Sequence, residues 1–191
     1  MKFAYVKHDF YVENILIKQY EIGIVKEELP TYSKIHFIKE DLIAKVGNDD
    51  FESFNPYKTG DGFPKKVCNV CHRLLDTVNF SRNQNGKNNR IIRRPSCNEC
   101  REVIDGVNMS AAEKKKWNKI KPHMQLFKCP ICHKITVPGL TSKVVLDHNH
   151  HTGKGRGWIC DSCNTGIGRF KDDITLLKNA IKYIEEDEKK N

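Results

Sequence analysis

The sequence lacks long hydrophobic stretches. No apolar run approaches the roughly 18 residues that a helix needs to span a bilayer. The first residues, MKFAYVKHDF, also lack the apolar core of a secretion signal. We therefore exclude a protein with membrane-spanning helices and expect an intracellular, cytoplasmic protein whose thiols stay reduced.

No cysteine lies outside a Cys-x-x-Cys pair. The pairs form two repeats, with 25 residues between the pairs in the first repeat and 27 in the second. Two such turns aim four thiolates at one point, which is the tetrahedral arrangement that zinc prefers. Disulfides are the alternative, but reduced thiols and the short spacing favour metal binding. The predicted ligands of two structural zinc ions are Cys68, Cys71, Cys97 and Cys100 in the first repeat, and Cys129, Cys132, Cys160 and Cys163 in the second.

The two repeats also share their helix signals. A helix is predicted after the last cysteine pair of each repeat. The first helix starts at Ser110 with a Ser-x-x-Glu capping box, and the second starts at Asp173 before apolar residues at helical spacing. Zinc would stabilise both repeats, because about 60 residues barely build a hydrophobic core by themselves.

Residues 1–65 differ from the repeats. Segments such as KFAYVK and SKIHFIKEDLIAKV are rich in β-branched and aromatic residues with partial alternation, which predicts a small β-sheet or barrel. The predicted fold class is therefore α+β. We expect a β-rich N-terminal domain at residues 1–65, a first four-cysteine zinc repeat at 66–128 and a second at 129–191.

Positive charge is concentrated in the middle of the chain. The protein has 33 Lys and Arg against 24 Asp and Glu, and residues 66–128 hold 14 of the basic residues but only 5 of the acidic ones. Such a surplus predicts a surface that faces phosphates, with a merely solvated basic face as the alternative. The same choice applies to the predicted helix at 110–121, which carries a run of lysines.

The repeats differ in the polar residues that they carry. In the second repeat the apolar segment KVVL ends in Asp147 and His148, and Asn164 directly follows the last cysteine. The first repeat has no Asp-His between its cysteine pairs and has Arg101 where Asn164 would stand. If these polar residues only maintained the fold, both repeats would need them. Their presence in the second repeat alone therefore favours a catalytic role. A zinc site of two cysteines and two histidines is the structural alternative, but it would leave cysteines over from complete quartets.

A strand hairpin that ends in Asp-His, followed by a helix with Asn near its start, resembles the ββα-metal nucleases (His-Me finger or HNH superfamily). The segments LDHNH at 146–150 and CDSCN at 160–164 are most similar to the phage recombination endonuclease VII family. The resemblance covers residues 129–170 and extends weakly into 66–105 through the repeat. With the duplicated zinc repeat and the N-terminal β domain, the chain looks more like a zinc-containing type II restriction endonuclease of that superfamily than a resolvase.

The resemblance implies a DNA endonuclease with one catalytic Mg²⁺ per chain. It implies that Asp147 and Asn164 are the metal ligands, that His148 is the general base, and that the products carry 5′-phosphate and 3′-hydroxyl ends. General chemistry agrees, because an imidazole with a pKa near about 6.5 accepts a proton at neutral pH. His150 could support the scissile phosphate or orient a ligand, or it could be solvated. Since adjacent strand residues point to opposite faces, the strand must bend or bulge at Asp147 and His148.

Basic residues on the two hairpins are expected to contact double-stranded DNA, through phosphates or base edges. One active copy per chain predicts a homodimer, because cutting both strands needs two sites. Two other functions stay open: a resolvase that cuts branched DNA such as Holliday junctions, and a zinc-ribbon protein that binds nucleic acid without catalysis. The predicted DNA contacts are Lys154 and Arg156 in the second repeat, and Arg90, Arg93 and Arg94 in the first.

Overall fold

The structure, a computed structural model, describes residues 1–188 and has the predicted α+β architecture. The helices are α1 (Asn98–Asp105), α2 (Ala111–Asn118), α3 (Asp161–Arg169) and α4 (Ile174–Glu188). Short 3-10 helices cover Pro56–Lys58, Thr77–Asn79 and Lys87–Asn89. The strands are β1 (Lys2–Val6), β2 (Phe10–Val12), β3 (Ile15–Ile17), β4 (Ile22–Glu28), β5 (Tyr32–Phe37), β6 (Leu42–Gly47), β7 (Phe51–Phe54), β8 (Lys65–Val67), β9 (Leu74–Asp76), β10 (Arg82–Asn85), β11 (Ile91–Arg93), β12 (Phe127–Lys128), β13 (Ile135–Thr136), β14 (Val144–His148) and β15 (Gly155–Cys160).

The chain packs into two compact units, Met1–Glu102 and Val103–Asn191. Across residues 1–188, no helix combines the length and the apolar composition that a membrane crossing requires.

The first compact unit contains an antiparallel sheet with the strand order β6-β5-β4-β1-β7 and a separate hairpin of β2 and β3. Strict alternation along β5 buries Ser33, Ile35 and Phe37 and leaves the residues between them partly exposed. Phe10 packs edge-on against Phe37, with 5.8 Å between the ring centroids. Each fully buried large apolar side chain contributes roughly 1.5–3 kcal/mol of transfer free energy. The predicted N-terminal β-sheet is confirmed.

Each repeat opens with the same cysteine turn. In the first repeat the backbone N–H of Cys68 donates to Arg73, and the N–H of His72 donates back to Cys68. The second repeat has the same pair of bonds, from His133 to Cys129 and from Cys129 to Lys134. Both histidines have positive φ, 50° and 60°, which closes the turn tightly. The duplication seen in the sequence therefore extends to the backbone.

The hairpins of the two repeats differ in their bulges. In the first repeat, β10 pairs with β11 from Arg82 opposite Arg93 to Gln84 opposite Ile92, so the extra residue, Asn83, lies on the outgoing strand. In the second repeat the extra residue lies on the returning strand, as described below.

The helix caps agree with the sequence. The Ser110 hydroxyl accepts the N–H of Glu113 at 3.1 Å and begins α2, as the capping box predicted. The Asp173 carboxylate accepts the N–H groups of Thr175 and Leu176 and begins α4. The packing of α2 was not predicted, because its place in the chain assigned it to the first repeat at 66–128. It belongs to the second compact unit and packs against β15.

A buried acidic side chain lies beside a nearly buried one in the first compact unit. Glu21, of which 1% is exposed, approaches Glu40, and Glu40 pairs with Lys39. Burial, followed by the hydrogen bond and charge of Glu40, raises the pKa of Glu21 from its ordinary value of 4.5 to about 8. The two carboxyl groups therefore share a proton at neutral pH, with Glu21 as the protonated partner.

The Glu21 carboxyl predicts a pH-dependent stability. Because its pKa is higher in the folded chain, folding binds a proton between pH 4.5 and about 8, and the free energy of unfolding falls as pH rises through this window. We expect Glu21→Gln to remove most of this fall, on the order of 2 kcal/mol between about pH 6.5 and 8.5. Denaturant melts of zinc-loaded protein at the two pH values measure it. Glu28→Gln, at an exposed ion pair with Lys2, is the matched control, and an unchanged pH slope in Glu21→Gln would contradict the assignment.

Candidate active site

The second repeat contains a bulged hairpin, β14–β15, which we call the Asp-His hairpin. Its ladder is regular up to Asp147 opposite Gly157, and the next pair is His148 opposite Gly155. Arg156 is therefore an extra residue on β15, and Gly157 supplies a φ of 153° that other residues rarely adopt. A bulge bends the strand and re-aims its side chains. The predicted irregularity between Asp147 and His148 is thus present.

Arg156 joins two carboxylates at this bulge. Its Nη1 donates to Asp147 Oδ2 at 3.2 Å and to the two oxygens of Asp172 at 3.0 and 3.1 Å. Both acidic side chains are nearly buried, with about a tenth of each exposed. The bonds to Asp172 and then to Asp147 raise the pKa of Arg156 despite its partial burial. One guanidinium thus stabilises two acidic groups that burial alone would penalise.

His148 and His150 stack against each other, with 4.8 Å between ring centroids and 26° between ring planes. The Nδ1–H of His150 donates to the backbone oxygen of Ile104 at 3.1 Å, and its Nε2 lies 3.9 Å from Asp172 Oδ2. These two contacts fix the orientation of the His150 ring. The His150 ring in turn holds the ring of His148 from one side.

His148 has the properties of a neutral imidazole. Burial, followed by the neighbouring His150, lowers its pKa, while the charges of Asp147 and Asp172 act in the opposite direction. Its Nε2 is buried and has no hydrogen-bond partner in the described part of the chain. A neutral imidazole is the form that accepts a proton, through the ring nitrogen that carries no hydrogen.

Asn164 lies on α3, which begins directly after β15 and packs against both strands of the Asp-His hairpin. Its side chain is half-buried. No hydrogen bond joins it to Asp147 within residues 1–188. The structure therefore brings the helix and the strand together as expected, and the binding of one Mg²⁺ by Asn164 and Asp147 stays a prediction.

Both cysteine quartets converge. In each quartet the four sulfur atoms lie within 4.8 Å of one another. The distances are 3.9 Å between Cys71 and Cys97 and 3.8 Å between Cys132 and Cys160. A tetrahedral zinc–thiolate site has an edge of about 3.8 Å, whereas a disulfide joins sulfurs at about 2.0 Å. The quartets fit zinc, and the described residues form neither disulfides nor zinc sites that mix cysteine with histidine.

The backbone prepares thiolates in these quartets. Burial acts to raise the pKa of Cys68, but backbone N–H groups directed at its sulfur prevail and lower the pKa to about 7. At Cys129 burial again acts to raise the pKa, and backbone N–H groups again prevail and lower it to about 6. Thiolate is the form that binds a metal ion, and each quartet has one cysteine whose thiolate forms near neutral pH.

The predicted DNA-contacting residues fall in different environments. Lys154 is exposed at the turn of the Asp-His hairpin, and Arg94 is exposed in the first repeat. Arg90 lines a cleft of about 710 Å³ beside β10. Arg93 is half-buried and donates to the backbone oxygen of Phe80 at 2.9 Å. Arg156 makes the ion pairs given above, a role that the sequence did not indicate, and contact with DNA stays a prediction for all five residues.

Sequence reasoning missed Asp172. This residue lies in the turn after α3, where Lys171 and Asp172 both have positive φ, 57° and 58°. The turn directs its carboxylate towards Arg156 and His150. The only signal in the sequence was a second acidic residue beside the helix cap Asp173, which does not by itself indicate a contact with the hairpin.

The arrangement can support hydrolysis of a phosphate ester. Within residues 1–188, only the two cysteine quartets bring three or more His, Cys, Asp or Glu donors within reach of one ion. A hard cation at Asp147 would therefore take few protein oxygens and keep positions for water and substrate, which suits Mg²⁺. A neutral imidazole and a buried carboxylate at adjacent positions are the groups that metal-assisted hydrolysis requires.

Comparison with known proteins agrees with this chemistry. The family model of recombination endonuclease VII matches residues 104–186, and that of the His-Me finger endonuclease beta4-alpha2 domain matches residues 55–106. The gene 59 proteins of Mycobacterium phages D29 and L5 are 38% and 36% identical over 58 residues. This match covers 30% of the chain, and the chain spans about a third (34%) of the length of these relatives.

A solved structure matches nearly the whole chain. It is the crystal structure of the ββα-Me type II restriction endonuclease Hpy99I, with a TM-score of 0.87 and 41% sequence identity. The match covers 97% of each chain. With this identity and coverage, and with its bulged Asp-His hairpin, adjoining α3 and paired cysteine quartets, the chain belongs to the ββα-Me (His-Me finger) endonucleases.

Proposed function

We propose that this chain is a Mg²⁺-dependent DNA endonuclease that cuts at a specific sequence and leaves 5′-phosphate and 3′-hydroxyl ends. The observation that carries the proposal is the bulge that follows Asp147 on the hairpin that also bears His148, in a chain 41% identical over 97% of its length to a type II restriction endonuclease.

His148 is the general base in this proposal. Its neutral ring removes a proton from a water molecule, whose oxygen forms the new bond to phosphorus while the bond from phosphorus to the 3′-oxygen breaks. The departing 3′-oxygen takes up a proton from solvent. His150 supports this step by stacking on His148, and its bond to Ile104 prevents the pair of rings from turning. General-base catalysis contributes about 10²–10⁴-fold to such a reaction.

Asp147 and Asn164 would hold the catalytic Mg²⁺. When bound, this ion neutralises charge on the phosphate and on the leaving oxygen. Arg156 positions Asp147. Its guanidinium donates to both Asp147 and Asp172, and this bridge fixes the orientation of the Asp147 carboxylate. With only these two protein oxygens as ligands, the ion would stay accessible to water and to the phosphate.

The cysteine quartets are structural zinc sites, two per chain. The quartet of the second repeat joins the turn at Cys129 and Cys132 to the junction of β15 and α3 at Cys160 and Cys163. This junction carries Asn164 and leads to the Asp-His hairpin. Zinc therefore contributes both to folding and to the position of the catalytic residues.

The hairpin of the first repeat is suited to reading a DNA sequence. All four residues of β10, Arg-Asn-Gln-Asn, are exposed. Gln84, Asn85 and Arg90 line the cleft of about 710 Å³. Amide side chains pair bidentately with adenine and Arg pairs with guanine, and the major groove admits a two-stranded ribbon. With one Asp-His hairpin per chain, cutting both strands of a palindromic site requires a homodimer.

A resolvase for branched DNA is the second candidate. The match of residues 104–186 to the recombination endonuclease VII model favours it. The two candidates share the same chemistry and differ in the DNA that they select.

Removal of the general base tests the proposed chemistry. We expect His148→Ala to lower the rate of Mg²⁺-dependent DNA cleavage by about 10²–10⁴-fold, because the general base is lost. DNA binding in a gel-shift assay should stay within about threefold, since one neutral side chain contributes little of the phosphate attraction. His151→Ala, at an exposed residue of the same hairpin, is the control. If the wild-type protein binds DNA but does not cut it with any divalent ion, the endonuclease proposal is wrong, and the chain is a zinc-ribbon protein that binds nucleic acid without catalysis.

A choice of DNA substrates separates the two candidate functions. Plasmid and genomic DNA should yield discrete fragments whose sequenced ends share one motif, while a four-way junction built without the motif should stay uncut. Selective cutting of the junction, with linear duplex untouched, would instead establish the resolvase.

Metal content tests the two cysteine quartets. Elemental analysis should find two zinc ions per chain, and Cys68→Ser and Cys160→Ser should each retain one. Because metal binding contributes about 10 kcal/mol or more in isolated zinc domains, chelation should unfold the surrounding segment. Circular dichroism during titration with a chelator measures the loss. Full zinc content in either variant would show that its quartet is not the binding site.

A further inference from the structure

Helix α2 is fixed to the Asp-His hairpin by a set of specific contacts. Glu113 Oε1 accepts the backbone N–H of Gly155 at 3.2 Å and the indole N–H of Trp117 at 2.9 Å. The indole N–H of Trp158 donates to the backbone oxygen of Trp117 at 3.2 Å. A Cβ at Gly155 would lie 2.2 Å from Trp117 Nε1, so only glycine allows this approach. The helix therefore holds a defined position on the hairpin.

The next positions of α2 face a cavity that His148 also lines. Glu113 and Trp117 contact the hairpin. Lys114 and Asn118 directly follow these two residues, and because they are four positions apart they share a neighbouring face of the helix. The cavity measures about 280 Å³ and is open to solvent. It is lined by Asn108, Met109, Lys114, Asn118, Leu146 and His148.

Lys114 is the one charged side chain among the cavity-lining residues, because the His148 imidazole is neutral. Within residues 1–188 it makes no ion pair with an acidic side chain, although other lysines of the chain do. An ammonium group without a carboxylate partner, next to the amide of Asn118, favours a bound anion. The cavity is large enough for a phosphate group and its attached sugar oxygens.

We propose that Lys114 binds a non-bridging oxygen of the phosphate that is cut, from the α2 side of the cavity, and so acts as a further catalytic residue. This inference rests on the proposed endonuclease function. Negative charge builds up on the phosphate oxygens as water attacks, and a cation that is already in place stabilises this charge without reorganisation. Asn118 donates a neutral hydrogen bond to the same phosphate group or to its neighbour.

The lysines of α2 supply a matched comparison. Lys114 and Lys115 are adjacent, exposed and equally charged, but only Lys114 lines the cavity. Their alanine variants therefore remove the same charge from the same helix. A general attraction between a basic helix and DNA predicts equal effects, whereas contact with the reacting phosphate predicts an effect of Lys114 alone.

The experiment measures single-turnover cleavage of a duplex at saturating protein and Mg²⁺. We expect Lys114→Ala to lower this rate about 30–300-fold, and Lys115→Ala to change it less than about threefold, because only the first removes charge stabilisation of the reacting phosphate. Lys114→Arg should recover most of the rate. The affinity for duplex without divalent ions should fall by a similar small factor in both alanine variants, since each removes one cation.

Three results separate the possible failures. If wild type cuts and Lys114→Ala cuts as fast as Lys115→Ala, Lys114 does not touch the reacting phosphate, and the endonuclease function stands. If wild type does not cut, both proposals fall. A lower melting temperature in Lys114→Ala would indicate a packing role, and Lys114→Met, which keeps the aliphatic chain, then decides: a fully active, stable Lys114→Met overturns the inference, and an inactive, stable one supports it.

Discussion

The convergence of four thiols at Cys129, Cys132, Cys160 and Cys163 is the constraint on which the second compact unit depends. The unit has few buried apolar side chains, and those nearest the quartet, Ile159 and the partly buried residues around it, pack directly on the cysteines. A hydrophobic core of this size provides little stability by itself. The quartet fixes the junction between β15, which carries Arg156, and α3, which carries Asn164. The strand that carries Asp147 and His148 pairs with β15 from this junction onwards, starting with Val144 opposite Cys160.

The active site depends on charges that are balanced inside the protein. Two nearly buried carboxylates share one guanidinium, and a pair of stacked imidazoles is tied to a backbone oxygen. Removing one member of such a network leaves an unpaired buried charge, which costs more than the pair contributes. This explains how a segment with many turns and exposed strands can hold reactive groups in fixed positions. It also means that Arg156 has a structural role, because it neutralises the carboxylates of Asp147 and Asp172.

The sequence predicted those features that are local or repeated. The cysteine quartets, the caps at Ser110 and Asp173, and the need for a bulge beside Asp147 followed from spacing, from side-chain chemistry and from the alternation of strand residues. Contacts between distant segments could not be predicted. Asp172 reaches Arg156 across 16 positions, and α2 reaches β15 across about 40. Neither contact has a periodic signal, because each depends on how the chain closes on itself.

The opposite bulges of the two hairpins have a consequence for how the repeats diverged. In the first copy the additional residue, Asn83, lies on the strand that leads into the turn, and in the second copy it lies on the strand that returns. The two backbones therefore direct their strand-end side chains differently, whatever residues occupy those positions. An Asp-His dipeptide introduced into the hairpin of the first repeat would therefore lie on a strand that bends differently from the Asp-His hairpin. The first repeat differs from the second in its backbone as well as in its side chains. Changing side chains alone would therefore not create a second active site there.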